Sequence, residues 1–268
     1  MTVTRSLRRR VALLAALCVM ATLTSLWTTT TAANAVDLRD QIPIVAGTGL
    51  ELQGGRQCAV GAVLKSRNWM SFATPYRQAT RYAVMAKHCV WVGAEVELWG
   101  RNVGTVTWES PTYDFALVTI RPSTAQRPVC SGASQLHHCT IPAATPRAVG
   151  RIIIDSPSGP RSVPISGIGS PTPGERFCTS GSITNVNCGF HPAGVPPTGW
   201  EAGQLAARST NGRNVAPGDS GAPVMSIGGT LYGIVIQAGY PLHRDLLAYL
   251  SIHAIFQDLD NAYAIAPA

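Results

Sequence analysis

The stretch "VAPGDSGAPV", residues 215–224, sets a tight Pro217-Gly218-Asp219-Ser220-Gly221 turn ahead of an apolar run, Ala222-Pro223-Val224. Glycines around a serine let the backbone bend sharply and aim its N–H groups at an incoming ligand. Ser220 is then either an ordinary turn residue or a nucleophile, because a serine hydroxyl reacts only when a neighbouring base takes its proton. The choice depends on whether a base and an orienting acid lie elsewhere in the chain.

Two upstream segments supply them. "YAVMAKHCV" (82–90) places His88 directly after an apolar run, and "TYDFALVTI" (112–120) places Asp114 at the mouth of another. Imidazole, with an ordinary pKa near 6.5, suits proton transfer at neutral pH. A buried carboxylate fixes its tautomer and stabilises the imidazolium. Gly218 and Ser220 are candidates for the two N–H donors of an oxyanion hole, worth about 3–4 kcal/mol for one donor. A histidine beside a cysteine, an aspartate at a strand mouth and a Gly-Asp-Ser-Gly turn are each common without catalysis. Together, in the order His, Asp, Ser, each at the edge of an apolar strand, they form a much more specific set.

Composition bounds what surrounds this set. Only 13% of residues are charged, against 46% hydrophobic with 26 Gly and 19 Pro, which favours an all-β, turn-rich chain. Residues 1–35 read as a signal peptide: "RSLRRR", the apolar "VALLAALCVMATL", and a small-x-small site "ANA" ending at Ala35. An uncleaved anchor is the alternative, but the apolar run is shorter than the ~20 residues of a spanning helix. Cleavage would remove four arginines and no acid. That leaves 17 basic against 14 acidic residues, a net charge of +3 in place of +7. With no basic run in the mature chain and no later segment long enough to span a bilayer, neither nucleic acid nor membrane is expected as a partner. A secreted monomer is expected.

Six cysteines follow the signal, an even number that points to disulfides with 15 possible connectivities. Pairing of sequence neighbours is the simplest: Cys58–Cys89, Cys130–Cys139 and Cys178–Cys188. A zinc site at the run His137-His138-Cys139, which sits near Cys130, competes, but it lacks a C-x-x-C pair and a clear fourth partner.

Short runs rich in Val, Thr and aromatics suggest two β units. After a segment 36–57, a short propeptide or mature N-terminal arm, residues 58–125 form the first unit and carry His88 and Asp114. Residues 126–147 read as a linker with a stapled loop, and 148–244 as the second unit with Ser220. In "DLLAYLSIHAIFQDL" (245–259), Leu246, Tyr249, Leu250, His253 and Phe256 share a helical face, predicting a helix within a tail to 268.

The segments "QCAVGAVLKS…YAVMAKHC", "DFALV", "FCTSGSITNVNCG" and "PGDSGAPV" resemble the chymotrypsin-fold serine proteases, and more narrowly the bacterial streptogrisin and α-lytic branch. That resemblance implies two six-stranded antiparallel β-barrels with a C-terminal α-helix and the site between them. It implies His88 as general base, Asp114 as orienting acid, Ser220 as nucleophile, and the Gly218 and Ser220 N–H groups as the oxyanion hole. It also implies Cys58–Cys89 and Cys178–Cys188 bridges, and a buried role for Asp219. In such enzymes that aspartate pairs with a freed N-terminal amine, faintly matched by "IVAG" (44–47), or with an internal arginine.

The departures concern specificity. "AKHC" puts Lys87 beside His88, where it is expected to point to solvent. The family's cysteine just before the nucleophile is missing, with Ala216 near that place. Ile236, Gln237 and Ala238 replace a Ser followed by small residues along the substrate edge. Asn214, six residues before Ser220, is the expected pocket base and carries no charge. The reading is a secreted serine endopeptidase acting on proteins or peptides, without metal or organic cofactor, with an altered, uncharged primary pocket. A catalytically silent binding module on the same fold is the alternative. An esterase lacks the strand–turn–helix setting its motif requires.

Overall fold

Strand β8 (Ala116–Ile120) shows why the apolar runs do not alternate with polar residues. Its Ala116, Val118 and Ile120 enter one core cluster, while Leu117, with Phe115 just before the strand, enters another. Successive side chains point to opposite faces of a strand, so a strand buried on both faces must be apolar throughout.

The computed structural model describes residues 37–123, 129–131, 138–140, 144–239 and 243–268. The first half holds β1 (Ile44–Ala46), β2 (Gly49–Leu52), β3 (Arg56–Ala59), β4 (Ala62–Ser66), β5 (Arg81–Met85), β6 (Glu95–Leu98), β7 (Arg101–Glu109) and β8 (Ala116–Ile120). β9 (Val129–Ser131) and β10 (His138–Thr140) form a separate two-stranded ladder with Cys139 opposite Cys130 along the backbone. Then come β11 (Ala148–Ile154), β12 (Arg161–Pro164), β13 (Gly167–Ile168), β14 (Phe177–Gly181), β15 (Asn185–Ala193) and β16 (Gln204–Ser209). β17 (Pro223–Met225), β18 (Thr230–Ala238), β19 (Leu246–Ser251), a helix (Ile252–Asp258) and β20 (Tyr263–Ile265) follow.

In the second half, β18-β17-β14-β15-β16-β19 form a ring of six strands that closes where β19 pairs with β18. In the first half, β4-β5-β8-β7-β6-β2-β3 run as an antiparallel sheet extended by β20, a half-barrel rather than a second closed ring. The two-unit, all-β architecture is therefore present, with one barrel closed and one open. Leu64, Val84, Phe115 and Leu117 of the first unit pack in one cluster with Ile234, Ile236, Leu250 and Phe256 of the second.

The predicted helix over 245–259 needs correction. Leu246 through Leu250 are all buried and form β19, paired with β16 on one side and β18 on the other. The helix occupies only Ile252–Asp258, with Ser251 Oγ accepting from the His253 N–H as its cap. An apolar run buried on both faces satisfies helical spacing by default, and ladder pairing decides the outcome.

Both ends of the compact unit, which begins at Asp37, cross to the opposite half. β1 pairs in parallel with β11, and β20 pairs with β4. Cys58–Cys89 and Cys178–Cys188 are bridged. The expected Cys130–Cys139 bridge and the competing zinc site rest on side chains outside the described residues. Cys58–Cys89 closes a separation of 31 residues, worth about 3–4 kcal/mol in the chain-entropy treatment. Replacing both cysteines by serine is expected to lower the unfolding free energy by about that amount, measured by urea titration.

Candidate active site

The turn around Ser220 is built on Asp219, which has no exposed surface. Its Oδ1 accepts the N–H groups of Ile183 (2.8 Å) and Thr184 (3.1 Å). Its Oδ2 accepts the Thr184 hydroxyl (2.7 Å) and the Ala216 N–H (2.9 Å). These are the carboxylate's hydrogen-bond partners among the described residues; the buried Arg39 guanidinium acts on it through charge. The "IVAG" terminus expected as one option is a buried strand instead, with the Ile44 N–H donating to Arg147 O at 2.9 Å.

Gly218 and Gly221 hold φ of +101° and +84°, a region open to glycine at little cost. Within the turn, the N–H groups of Asp219, Gly221 and Ala222 donate to Ala216 O, Val235 O and Asp219 O. The N–H groups of Gly218 and Ser220 have no acceptor among the described residues, leaving two adjacent donors free for a ligand.

Asp114 meets His88 twice. His88 Nδ1 lies 2.6 Å from Asp114 Oδ2, and the His88 N–H donates to Asp114 Oδ1 at 2.9 Å. Two contacts to one carboxylate fix both the ring and its backbone, and they favour the tautomer that leaves Nε2 as the acceptor. Burial pushes the Asp114 carboxyl up. The hydrogen bond and charge of His88, its backbone N–H and the Lys87 charge outweigh this and bring it below the ordinary carboxylate value.

Lys87 does not run free into solvent: its Nζ donates to Ser110 O at 2.8 Å. Ser110 organises this loop, accepting the Thr112 and Tyr113 N–H groups at its Oγ and donating from Oγ to Asp258 Oδ2 at 2.7 Å. The helix after β19 thereby braces the loop that presents Asp114.

His88, Asp114 and Ser220 line one open cleft of about 410 Å³. Ile236, Gln237 and Ala238 lie along the same cleft, beside Ala216 and Pro217. Asn214 is not among the lining residues. Its Nδ2 donates to Arg244 O and Leu246 O, both at 2.8 Å, and its Oδ1 accepts the Val215 N–H.

Glu201 and Gln204 line the cleft instead, so the lining carries a carboxylate where none was expected. Gln204 is buried, and its Oε1 accepts the Glu201 N–H at 3.1 Å. No motif marks either residue. Only the polar residues at and just before the start of β16 hint at them.

Arg39 also escaped sequence reasoning. It is 2% exposed, and its guanidinium donates to Gly47 O, Ser180 O, Ser180 Oγ and Asn185 Oδ1. It thereby clamps the ends of the β14–β15 turn whose middle holds Asp219. Burial lowers its pKa, opposed by the charges of Asp37, Asp219 and Asp40.

Compared by sequence, the chain matches no family model and no curated protein. Compared by structure, it is similar to Thermobifida fusca protease A, with a TM-score of 0.56 at 16% identity over 84% of this chain and 99% of that one. Cellulomonas bogoriensis chymotrypsin gives 0.54 at 18% identity over 84% and 99%, and Nocardiopsis protease 0.53 at 18% over 83% and 98%. At these identities the likeness is one of fold, that of the bacterial chymotrypsin-like serine proteases.

Thr184→Val removes a hydroxyl donor from a fully buried carboxylate and is expected to cost about 1–3 kcal/mol by urea unfolding. The Asp114 carboxyl is held below its ordinary value of about 3.9, so its contacts stabilise fully above that pH. The contribution fades as pH falls through the lower folded value. The stability gap between wild type and Asp114→Asn should therefore close only in strong acid, as read from pH-dependent melting.

Proposed function

We propose that the chain is a secreted serine endopeptidase acting on peptide bonds without metal or organic cofactor. The observation that carries the reading is the doubly held His88–Asp114 contact in a cleft that also holds Ser220. Ser220 Oγ attacks the scissile carbonyl carbon as its proton passes to His88 Nε2. The oxyanion that forms is met by the Gly218 and Ser220 N–H groups. His88 then gives its proton to the departing amine, leaving an acyl-enzyme. Water attacks the ester with His88 again as base, and the freed acid leaves with Ser220 restored.

The signal-like segment 1–35 and the paired cysteines support export. The altered substrate edge carries through to specificity, but with a charged lining: Glu201 favours a cationic or strongly hydrogen-bonding side chain in the subsite beside Gln204.

A fluorophosphonate probe should label the processed protein at Ser220 and leave Ser220→Ala unlabelled. Absence of labelling on folded wild type would identify an inert binding module on this fold. In a labelled enzyme, Asp114→Asn is expected to lower kcat by about 10⁴-fold. Glu201→Gln should lower kcat/KM about tenfold for substrates with Arg or Lys before the scissile bond, relative to Leu substrates. That is about 1.4 kcal/mol. An unchanged ratio in a peptide-substrate panel rules out Glu201 as the selector.

A further inference from the structure

The turn between β4 and the helix Pro75–Ala79 presents apolar side chains to water. Trp69 is 76% exposed, Phe72 51% and Met70 43%, all within one 3₁₀ turn, Trp69–Phe72. Scattered exposed apolar residues are ordinary, but three on one turn are not. The turn is well built: Asn68 Oδ1 accepts the Met70 N–H, Thr74 Oγ1 accepts the Arg77 N–H, and Gln78 Nε2 donates to Phe72 O. Its display of aromatics is therefore a property of an ordered element.

The charges along this part of the chain are all of one sign. Between Glu51 and Glu95 the sequence has no Asp or Glu and six Lys or Arg. Lys65 Nζ sits 4.7 Å from the Phe72 ring centroid, and the exposed Arg67 and Arg77 flank the turn. Among the described residues, the ion pairs are His88–Asp114 and Arg208–Asp245, so these three cations have no carboxylate partner. The acids nearest in the fold belong to the segment running into Ala262, whose carbonyl accepts the Arg67 N–H. Of these, Asp258 Oδ2 is held by Ser110, and Asp260 is exposed without an ion pair to the three cations.

We infer that this turn is a membrane-contact site for a bilayer surface carrying anionic lipid headgroups. A projecting tip of Trp, Met and Phe ringed by uncompensated Lys and Arg has the chemistry of an interfacial anchor. The rings enter the headgroup layer while the cations meet phosphates. A four-residue tip is far too small for a stable protein interface, which buries about 800 Å² per partner, and the charges complement an anionic surface. The contact is peripheral: no described helix is long and apolar enough to cross a membrane. It revises the expectation that the processed chain has no membrane partner, and it stands independently of the active-site reading.

The test uses the chain beginning at Val36, since the compact unit starts at Asp37 and residues 1–35 would themselves bind lipid. Cosedimentation is measured with vesicles of mixed phosphatidylglycerol and phosphatidylcholine, and with phosphatidylcholine alone. Binding is expected to the anionic vesicles, weakened by salt, with a blue shift of tryptophan emission that Trp69→Phe removes. The double variant Trp69→Ser/Phe72→Ser should partition at least about tenfold less, and Arg67→Gln and Arg77→Gln about fivefold less each. Near-UV circular dichroism confirms that every variant stays folded, and the charge variants keep the test open if the double variant does not. Failure to sediment with anionic vesicles overturns the inference, as does equal binding to phosphatidylcholine. Unchanged partitioning of the folded variants, or binding only to a soluble protein or polysaccharide, overturns it too.

Discussion

A carboxylate with no exposed surface, Asp219, sits immediately before Ser220. Removing such a group from water costs several kcal/mol unless hydrogen bonds replace the lost solvation. Four donors do so, and each constrains the fold. The Ile183 and Thr184 N–H groups require the β14–β15 turn to lie against the carboxylate. Gly181 must lack a side chain, because a Cβ there would stand 2.1 Å from Asp219 Oδ1. The Ala216 N–H draws the chain before Ser220 onto the same oxygen as the Thr184 hydroxyl. Once these demands are met, the 216–222 turn has little freedom left, and its unpaired Gly218 and Ser220 N–H groups follow from the shape.

Arg39 extends the same constraint outward. A buried guanidinium is always charged, so its carbonyl and side-chain acceptors must be supplied together by Gly47, Ser180 and Asn185. The segment before β1 is thereby tied to the turn that satisfies Asp219. At the other end, β20 lies on β4, and the Gly150 N–H donates to Pro267 O at 2.8 Å. A Cβ at Gly150 would meet Ala266 O at 1.8 Å, so that close approach depends on glycine.

This interlocking separates what the sequence discloses from what it hides. The strands around His88 and Asp114 were legible because their apolar runs are short, Val-rich and bounded by turn residues. Strand β19 was not, because burial on both faces erases the period of two that distinguishes strand from helix. The half-open first barrel was equally hidden, since no local signal tells whether a sheet closes. In the site, His88, Asp114 and Ser220 were readable from motifs, each at the edge of an apolar run. Ser110, Gln204, Glu201 and Arg39 act through partners 8 to 148 residues away or through a shared cleft, and no spacing rule reaches that far.

Asn214 shows how one misplaced residue can still explain the structure. By spacing alone it stood at the base of the pocket, where its lack of charge argued for a neutral subsite. The same chain lacks the cysteine that would tie this loop to a neighbouring segment. The structure answers both points with one amide: Nδ2 reaches Arg244 O and Leu246 O while Oδ1 holds the Val215 N–H. Hydrogen bonds contribute about 1 kcal/mol each, so three of them approach the ~3 kcal/mol that a short-loop disulfide contributes. An amide committed to bracing three backbone groups is not available to read a substrate side chain. Of the groups that still line this cleft, Glu201 adds a second carboxylate to that of Asp114.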